Sequence, residues 1–241
     1  MSPETFERAT TYPYRIPNRS FVYRDGIEHP LSKDGPPPEL DGRMPVLAVG
    51  SNQSPEQLAR KYHEGNWGEI PVIRGELRNF DSVYSPHITS YGAIAATLQH
   101  ASGVDVTLFV TWLTPPQLKR MHKTEISSAN YGYGRLDGVS MNCEQGPNLE
   151  SVHIYNSRRG TLCHNDTPIP VAEIPAQNRR WKAMNQMDVQ HHVRQYLAPR
   201  DDLKTFIRGS VDDASLRHER SNALKDVAQP FNHPNFTGIP I

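Results

Sequence analysis

The clearest pattern in this chain is an alternation of apolar and polar residues over positions 104–112, interrupted at Phe109. Such an alternation is typical of a half-buried β-strand. The apolar members that share one face are Val104, Val106, Leu108, Val110 and Trp112. Further short apolar segments predict strands at 45–49, 70–78, 80–84, 91–98, 133–142 and 150–156. Helical spacing and capping residues predict helices at 55–64, 115–124, 177–197 and 213–228.

Many strands with a few short helices predict an α+β fold, a small mixed β-barrel with flanking helices. Residues 1–44 lack sustained periodicity and contain a Pro36-Pro37-Pro38 run, so we expect an N-terminal arm that packs on the barrel, followed by a stiff linker. We assign the barrel domain to 45–160. A C-terminal helical extension over 161–241 is expected to pack on that same domain.

Composition narrows the function classes. The 241 residues include 26 basic and 26 acidic side chains, and this balance argues against a nucleic-acid partner bound through bulk positive charge. No apolar stretch approaches the roughly 20 residues that span a bilayer, and the N-terminus shows no signal-peptide pattern. With only Cys143 and Cys163, a disulfide framework is not expected, and a reducing, cytoplasmic setting is the default.

One turn looks suited to holding a ligand. The apolar run Val46–Val49 ends at Gly50-Ser51-Asn52, and a helix start follows, with Ser54 as N-cap, Pro55 in the first turn and Gln57 completing a capping box. A strand, a glycine turn and a helix in succession leave backbone N–H groups that can bind an anionic or carbonyl oxygen.

A carboxylate extends the apolar stripe of the predicted helix 115–124. Leu118 and Met121 mark its core side, and Glu125 continues the same spacing. Burial and the helix C-terminus would both raise the pKa of such a carboxyl group toward the range of a general acid/base. The alternative is a helix that ends at Lys123, with Glu125 as a solvated loop residue.

The turn and the carboxylate together resemble the γ-glutamylcyclotransferase-like superfamily. The Gly50-Ser51-Asn52 turn is similar to that family's Tyr-Gly-Ser-Asn loop. The strand at 92–97, the segments 108–112 and 113–118 and then Glu125 follow the family order, with Tyr131 and Tyr133 in the next strand. The resemblance covers about 45–156.

The resemblance implies a reaction and a set of roles. A γ-glutamyl amine, amide or peptide would cyclise within itself and release 5-oxoproline and a free amine, with Glu125 as acid/base. Val49, Gly50, Ser51, Asn52 and Tyr131 would contact the substrate. It implies a small-molecule partner with no metal and no cofactor. Composition and hydropathy argue against nucleic acid and membrane as partners, and a homodimer remains possible in this interpretation.

Two departures keep alternatives open. Val49 stands where the family has a tyrosine, and Ile126-Ser127-Ser128 replaces a glycine that is common after the glutamate. A non-catalytic small-molecule or protein-binding member of the fold, or another amide or acyl transfer, therefore remains an alternative. The 11 histidines show no ligand-type spacing. Arg158-Arg159-Gly160 could clamp a carboxylate or a phosphate, but the interpretation favoured is a solvated hairpin end.

Overall fold

Five strands of the computed structural model close into a barrel, and the structure describes residues 1–126 and 130–241. Ser127 and Ser128, which belong to the segment that differs from the family pattern after Glu125, lie outside those ranges. The α-helices are α1 Pro3–Thr10, α2 Pro55–Lys61, α3 Pro115–Glu125, α4 Gln186–Leu197, α5 Leu203–Asp212 and α6 Ala214–Ala223. The strands are β1 Phe21–Arg24, β2 Ile27–Pro30, β3 Met44–Ala48, β4 Ile70–Ile88, β5 Ile94–Leu113, β6 Tyr131–Cys143, β7 Leu149–Ser157, β8 Thr161–His164, β9 Thr167–Pro168, β10 Ala176–Gln177, β11 Ala228–Gln229 and β12 Phe236–Gly238.

The barrel is mixed. Its strands follow the order β5, β3, β7, β6 and β4, and β4 pairs again with β5 to close the ring. The β3–β7 pair is parallel, with Val46 opposite His153, and the other four pairs are antiparallel. Closure gives each of the five barrel strands a neighbour on both sides, and the edges of the larger sheet lie at β2 and β10. The predicted α+β fold with a small mixed barrel and flanking helices is confirmed.

The two longest strands were predicted as four shorter ones. β4 joins 70–78 to 80–84, and β5 joins 91–98 to 104–112. The pairing register shifts between Arg78 and Phe80, because Asn79 adopts a left-handed conformation with φ of 64°. The Asn79 side-chain oxygen accepts the Gly103 N–H at 2.9 Å, which fixes this bulge without ending the strand.

The N-terminal region contains regular elements that sequence patterning did not predict. Ser2 caps α1 by accepting the Thr5 N–H at 3.1 Å. β1 and β2 form a hairpin, and β1 pairs with β4 so that Phe21 lies opposite Val72. The region therefore adds a helix and two sheet strands to the barrel.

The C-terminal helices begin and end at other residues than predicted. Asn185 caps α4 with its side chain, so this helix starts at Gln186 rather than at 177. The preceding segment is extended and held by Arg179, which donates two hydrogen bonds of 2.8 and 2.7 Å to the fully buried Asp81 of β4. α5 was not predicted, and the helix predicted over 213–228 ends at Ala223, followed by a 3₁₀ turn at Leu224–Val227.

One cluster of buried side chains connects the three regions. It includes Ala9 and Tyr12 from the N-terminal region, Val110 from the barrel, and Val193 and Phe206 from the C-terminal helices. In the described part of the chain, no helix is both long and apolar enough to cross a membrane.

Candidate active site

The predicted glycine turn lies where β3 leaves the barrel. Gly50 is followed by a 3₁₀ turn at Ser51–Gln53, and α2 begins at Pro55. Ser54 is the N-cap residue, but its buried hydroxyl has no hydrogen-bond partner among residues 1–126 and 130–241. Gln57 instead accepts a hydrogen bond from Arg60 at 3.4 Å. The predicted Ser54–Gln57 capping box is therefore wrong, although the helix it was meant to start is present.

Gly50 is required by a close approach rather than by its φ, which is −132°. A Cβ added there would overlap the hydroxyl oxygen of Tyr12 and lie 3.0 Å from the Ala96 Cβ. Tyr12 is 4% exposed, and its hydroxyl accepts the Ala96 N–H at 2.9 Å. Burial raises the pKa of Tyr12, and the backbone N–H groups of Ala96 and Ser51 partly offset this effect. The N-terminal region thus supplies a tyrosine hydroxyl against the turn.

Glu125 is the last residue of α3. The helix is fixed at its start by Gln117, whose side chain accepts the Thr114 N–H at 2.8 Å. The Glu125 side chain is 16% exposed, so the alternative of a solvated loop residue is wrong. Its Oε1 accepts a hydrogen bond of 2.9 Å from Asn52 Nδ2. The turn and the carboxylate are therefore in direct contact.

A buried lysine also binds Glu125. Lys61, at the end of α2, is 6% exposed, and its ammonium donates to Glu125 Oε1 and lies 3.4 Å from the Met121 sulfur. Burial raises the pKa of the Glu125 carboxyl, but the Lys61 charge and the Lys61 and Asn52 hydrogen bonds lower it further than burial raises it. The pKa of Glu125 therefore lies below the usual value of a glutamate, and the predicted upward shift is wrong. Burial and the helix dipole alone would raise this pKa, and the positive charge of Lys61, which comes from another helix, reverses the direction.

All six residues proposed as site residues line one cavity of about 520 Å³. They are Val49, Gly50, Ser51, Asn52, Glu125 and Tyr131. The volume falls in the range that binds small ligands. The structure thus brings together residues from the turn, the end of α3 and the start of β6.

The two candidate tyrosines differ in position. The Tyr131 hydroxyl donates to the Ala96 carbonyl at 2.8 Å, so its oxygen is left to accept from a ligand. Burial raises the pKa of Tyr131 well above its usual range, which keeps the hydroxyl protonated. Tyr133 points elsewhere, with its ring 4.7 Å from that of His122 in an edge-to-face contact.

A basic side chain from the start of the segment after β7 also lines the cavity. Arg159 was interpreted as a solvated hairpin end, but it lies in the cavity wall and donates to Asn130 Oδ1 at 2.6 Å. It also donates to the Ser221 carbonyl at 3.0 Å and to Asn222 Oδ1 at 2.9 Å. Burial lowers the pKa of Arg159. Its place in the wall depends on contacts with α6 that local sequence cannot show.

His87 lies next to this arginine. The Asn130 oxygen accepts from Arg159, so the Asn130 amide nitrogen faces His87 Nε2, 3.0 Å away, and must donate to it. Burial and then the Arg159 and Arg217 charges lower the pKa of His87 to about 4. The ring is therefore neutral at pH 7, with its proton on Nδ1. Within the described ranges, no three His, Cys, Asp or Glu side chains group as metal ligands.

Comparisons with known proteins give structural matches only. No family model matches the chain, and no curated protein does. Similar solved structures include a gamma-glutamyl cyclotransferase, 14% identical, with a TM-score of 0.39 and coverage of 80% of this chain and 91% of that chain. An uncharacterised human protein is 14% identical, with a TM-score of 0.38 and coverage of 80% and 92%. An Arabidopsis thaliana protein solved in solution is 16% identical, with a TM-score of 0.36 and coverage of 53% and 74%. One of these structures carries the name of the family that the sequence resembles, and at such identities and TM-scores the reaction has to be inferred from the site itself.

Proposed function

We propose that this protein catalyses the intramolecular cyclisation of a γ-glutamyl amine, amide or peptide, which releases 5-oxoproline and a free amine. The observation that carries this proposal is the contact between the turn and the carboxylate. Asn52 Nδ2 lies 2.9 Å from Glu125 Oε1, and both residues line the same cavity.

The chemistry needs one group that moves a proton. Glu125 takes a proton from the substrate α-ammonium, and the freed amine attacks the γ-carbonyl carbon. The tetrahedral intermediate then loses its original amine, which leaves with the proton that Glu125 returns. The ring nitrogen gives its second proton to the regenerated Glu125 carboxylate, which passes it to the released amine. Attack within one molecule removes the entropy cost of bringing two reactants together, so holding the substrate folded supplies much of the rate. Backbone N–H groups of the turn are suited to stabilise the carbonyl oxygen as it gains charge.

The ion pair is compatible with this role. Lys61 keeps Glu125 ionised at neutral pH, which is the state that a base requires. Both hydrogen bonds from Asn52 and Lys61 use Oε1, and within the part of the chain that the structure describes none uses Oε2. The second oxygen can therefore take the substrate proton. Free thiols at Cys143 and Cys163 support a reducing, cytoplasmic setting for the reaction.

A panel of γ-glutamyl compounds, assayed for 5-oxoproline, tests the proposal. The matched variants are Glu125→Gln and Glu64→Gln, since the Glu64 side chain is 76% exposed. We expect Glu125→Gln to lose about 10²–10⁴-fold in kcat, the contribution of a positioned acid/base, and Glu64→Gln to retain activity. Full activity in Glu125→Gln would contradict the assigned role.

A second candidate is a non-catalytic binding protein for a small amino-acid-like ligand. The lowered pKa of Glu125 favours it, because a carboxylate already satisfied by Lys61 is a weaker base. Calorimetric titration with the same γ-glutamyl panel separates the two candidates. Binding without 5-oxoproline release favours the binding protein, whereas release of a different product indicates another amide or acyl transfer.

A further inference from the structure

The cavity wall carries far more positive than negative charge. Its cationic residues are Arg8, Arg60, Lys61, Arg159 and Arg217, and Glu125 is its one carboxylate among the described residues. Residues 127–129 are Ser-Ser-Ala and add no formal charge to this sum. The chain as a whole is neutral, so the excess is a local property of the cavity.

Two of the cations have carboxylate partners. Lys61 is paired with Glu125, and Arg60 is paired with Glu56, which lies outside the cavity wall. In the described ranges, Arg8, Arg159 and Arg217 have no carboxylate within 4.0 Å. Arg8 lies 4.3 Å above the Tyr91 ring.

Arg159 and Arg217 are held in place by neutral acceptors. Arg159 donates to two side-chain amides and a carbonyl, as described above. Arg217 Nη1 donates to the carbonyls of Ser210 and Val211 at the end of α5, at 2.7 and 3.3 Å. Arg159 donates to the Ser221 carbonyl, which lies one helical turn after Arg217 in α6, so both arginines lie on the α6 side of the cavity wall, with His87 in the same wall. Among the described residues, these hydrogen bonds leave Arg159 Nη2 and Arg217 Nε and Nη2 able to donate to an anion.

Building on the cyclisation proposed above, we infer that the amine half of the substrate carries two negative charges, which Arg159 and Arg217 bind. The γ-glutamyl head has one α-carboxylate and one α-ammonium and is neutral overall. One arginine, Arg8, is enough to bind its single carboxylate. The two arginines beside His87 then remain for the leaving half. A dicarboxylic amino acid and a phosphate monoester both present this chemistry.

Matched substrates test the inference during turnover. The γ-glutamyl amides of alaninamide, aspartate and O-phosphoethanolamine differ mainly in the charge of the leaving half. We expect kcat/KM to be about 10–100-fold higher for the two dianionic substrates, the factor that one or two charge-assisted hydrogen bonds supply. Whichever of the two is preferred identifies the source of the charge. Equal values for all three substrates would overturn the inference.

Direct binding separates this inference from the proposed reaction. Calorimetric titration with aspartate and with O-phosphoethanolamine needs no turnover. We expect Arg217→Gln and Arg159→Gln to weaken binding of the preferred anion about 10-fold or more, with Arg217→Gln as the check if Arg159→Gln unfolds. Arg158→Gln, the exposed neighbour outside the cavity wall, should bind as the unmodified protein does.

The outcomes are distinct. Arginine-dependent anion binding without any 5-oxoproline release would refute the cyclisation and retain the anion site. Cyclisation with neither a charge preference nor arginine-dependent binding would refute the anion site and retain the reaction.

Discussion

At the scale of single residues, the site depends on Lys61, which was not predicted to be a site residue. Leu58 and Tyr62 are four residues apart and share one side of the helix that follows the turn, and Lys61 lies on that same side, three residues after Leu58. All three are buried. A lysine on an apolar stripe needs a counter-charge, so Lys61 and Glu125 could have been matched by the same spacing rule that singled out Glu125.

Replacing Lys61 should change the pH dependence of the reaction. In Lys61→Met the burial that raises the Glu125 pKa remains, while the charge that lowers it is gone. We expect the acidic limb of kcat/KM, which falls as Glu125 becomes protonated, to move upward by about 1–3 pH units. Lys123→Met, at an exposed position of the same helix as Glu125, serves as the control. An acidic limb that stays in place would show that another group controls it.

At the scale of elements, the missed parts of the fold carried local signals. Ser2-Pro3-Glu4 starts α1 with the same three residues that start α2 at Ser54-Pro55-Glu56, but no long apolar stripe follows it. Asp25-Gly26 is a hairpin signal, and both residues have the positive φ that such a turn requires, 50° and 83°. Strands were predictable because they alternate, whereas these short elements depend on turn and cap chemistry.

The contact between the N-terminal region and the turn gives a prediction at this scale. Gly50→Ala places a Cβ on the Tyr12 hydroxyl, and we expect a loss of about 1–3 kcal/mol in the free energy of unfolding, with reduced activity. In a Tyr12→Phe background the same substitution should cost less, because the overlapping oxygen is absent. Urea unfolding of the two single variants and the double variant measures this coupling.

Gly238→Ala is the matched control, since an added Cβ there meets no atom within 4 Å. It should leave stability nearly unchanged. If the losses in free energy of unfolding for Gly50→Ala and Tyr12→Phe were additive in the double variant, the Cβ added at position 50 and the Tyr12 hydroxyl would not be in steric conflict.

At the scale of the whole molecule, sequence predicted the barrel better than it predicted the cavity. The barrel strands could be predicted from the periodicity of apolar residues within each strand. The cavity wall instead combines residues from α1, the turn after β3, the start of β6 and α6. Arg8, Arg159 and Arg217 are more than 50 residues apart along the chain, and this spacing does not predict that they line the same cavity. Glu125 and the turn were found together through their family order, which encodes a contact that periodicity does not.

The shared core predicts that the chain unfolds as one unit. Val193 and Phe206 of the C-terminal helices, Tyr12 of the N-terminal region and Val110 of the barrel belong to one buried cluster. Losing any region would expose apolar surface of the others, at about 25 cal/mol per Å². Urea curves from tryptophan fluorescence, in which Trp112 reports on the barrel, and from circular dichroism at 222 nm, which reports on the helices, should therefore share one midpoint. By the same reasoning the isolated fragment 45–160 should not hold a stable fold, and a cooperative transition in that fragment, or two separate midpoints in the full chain, would show that the barrel is stable without its terminal regions.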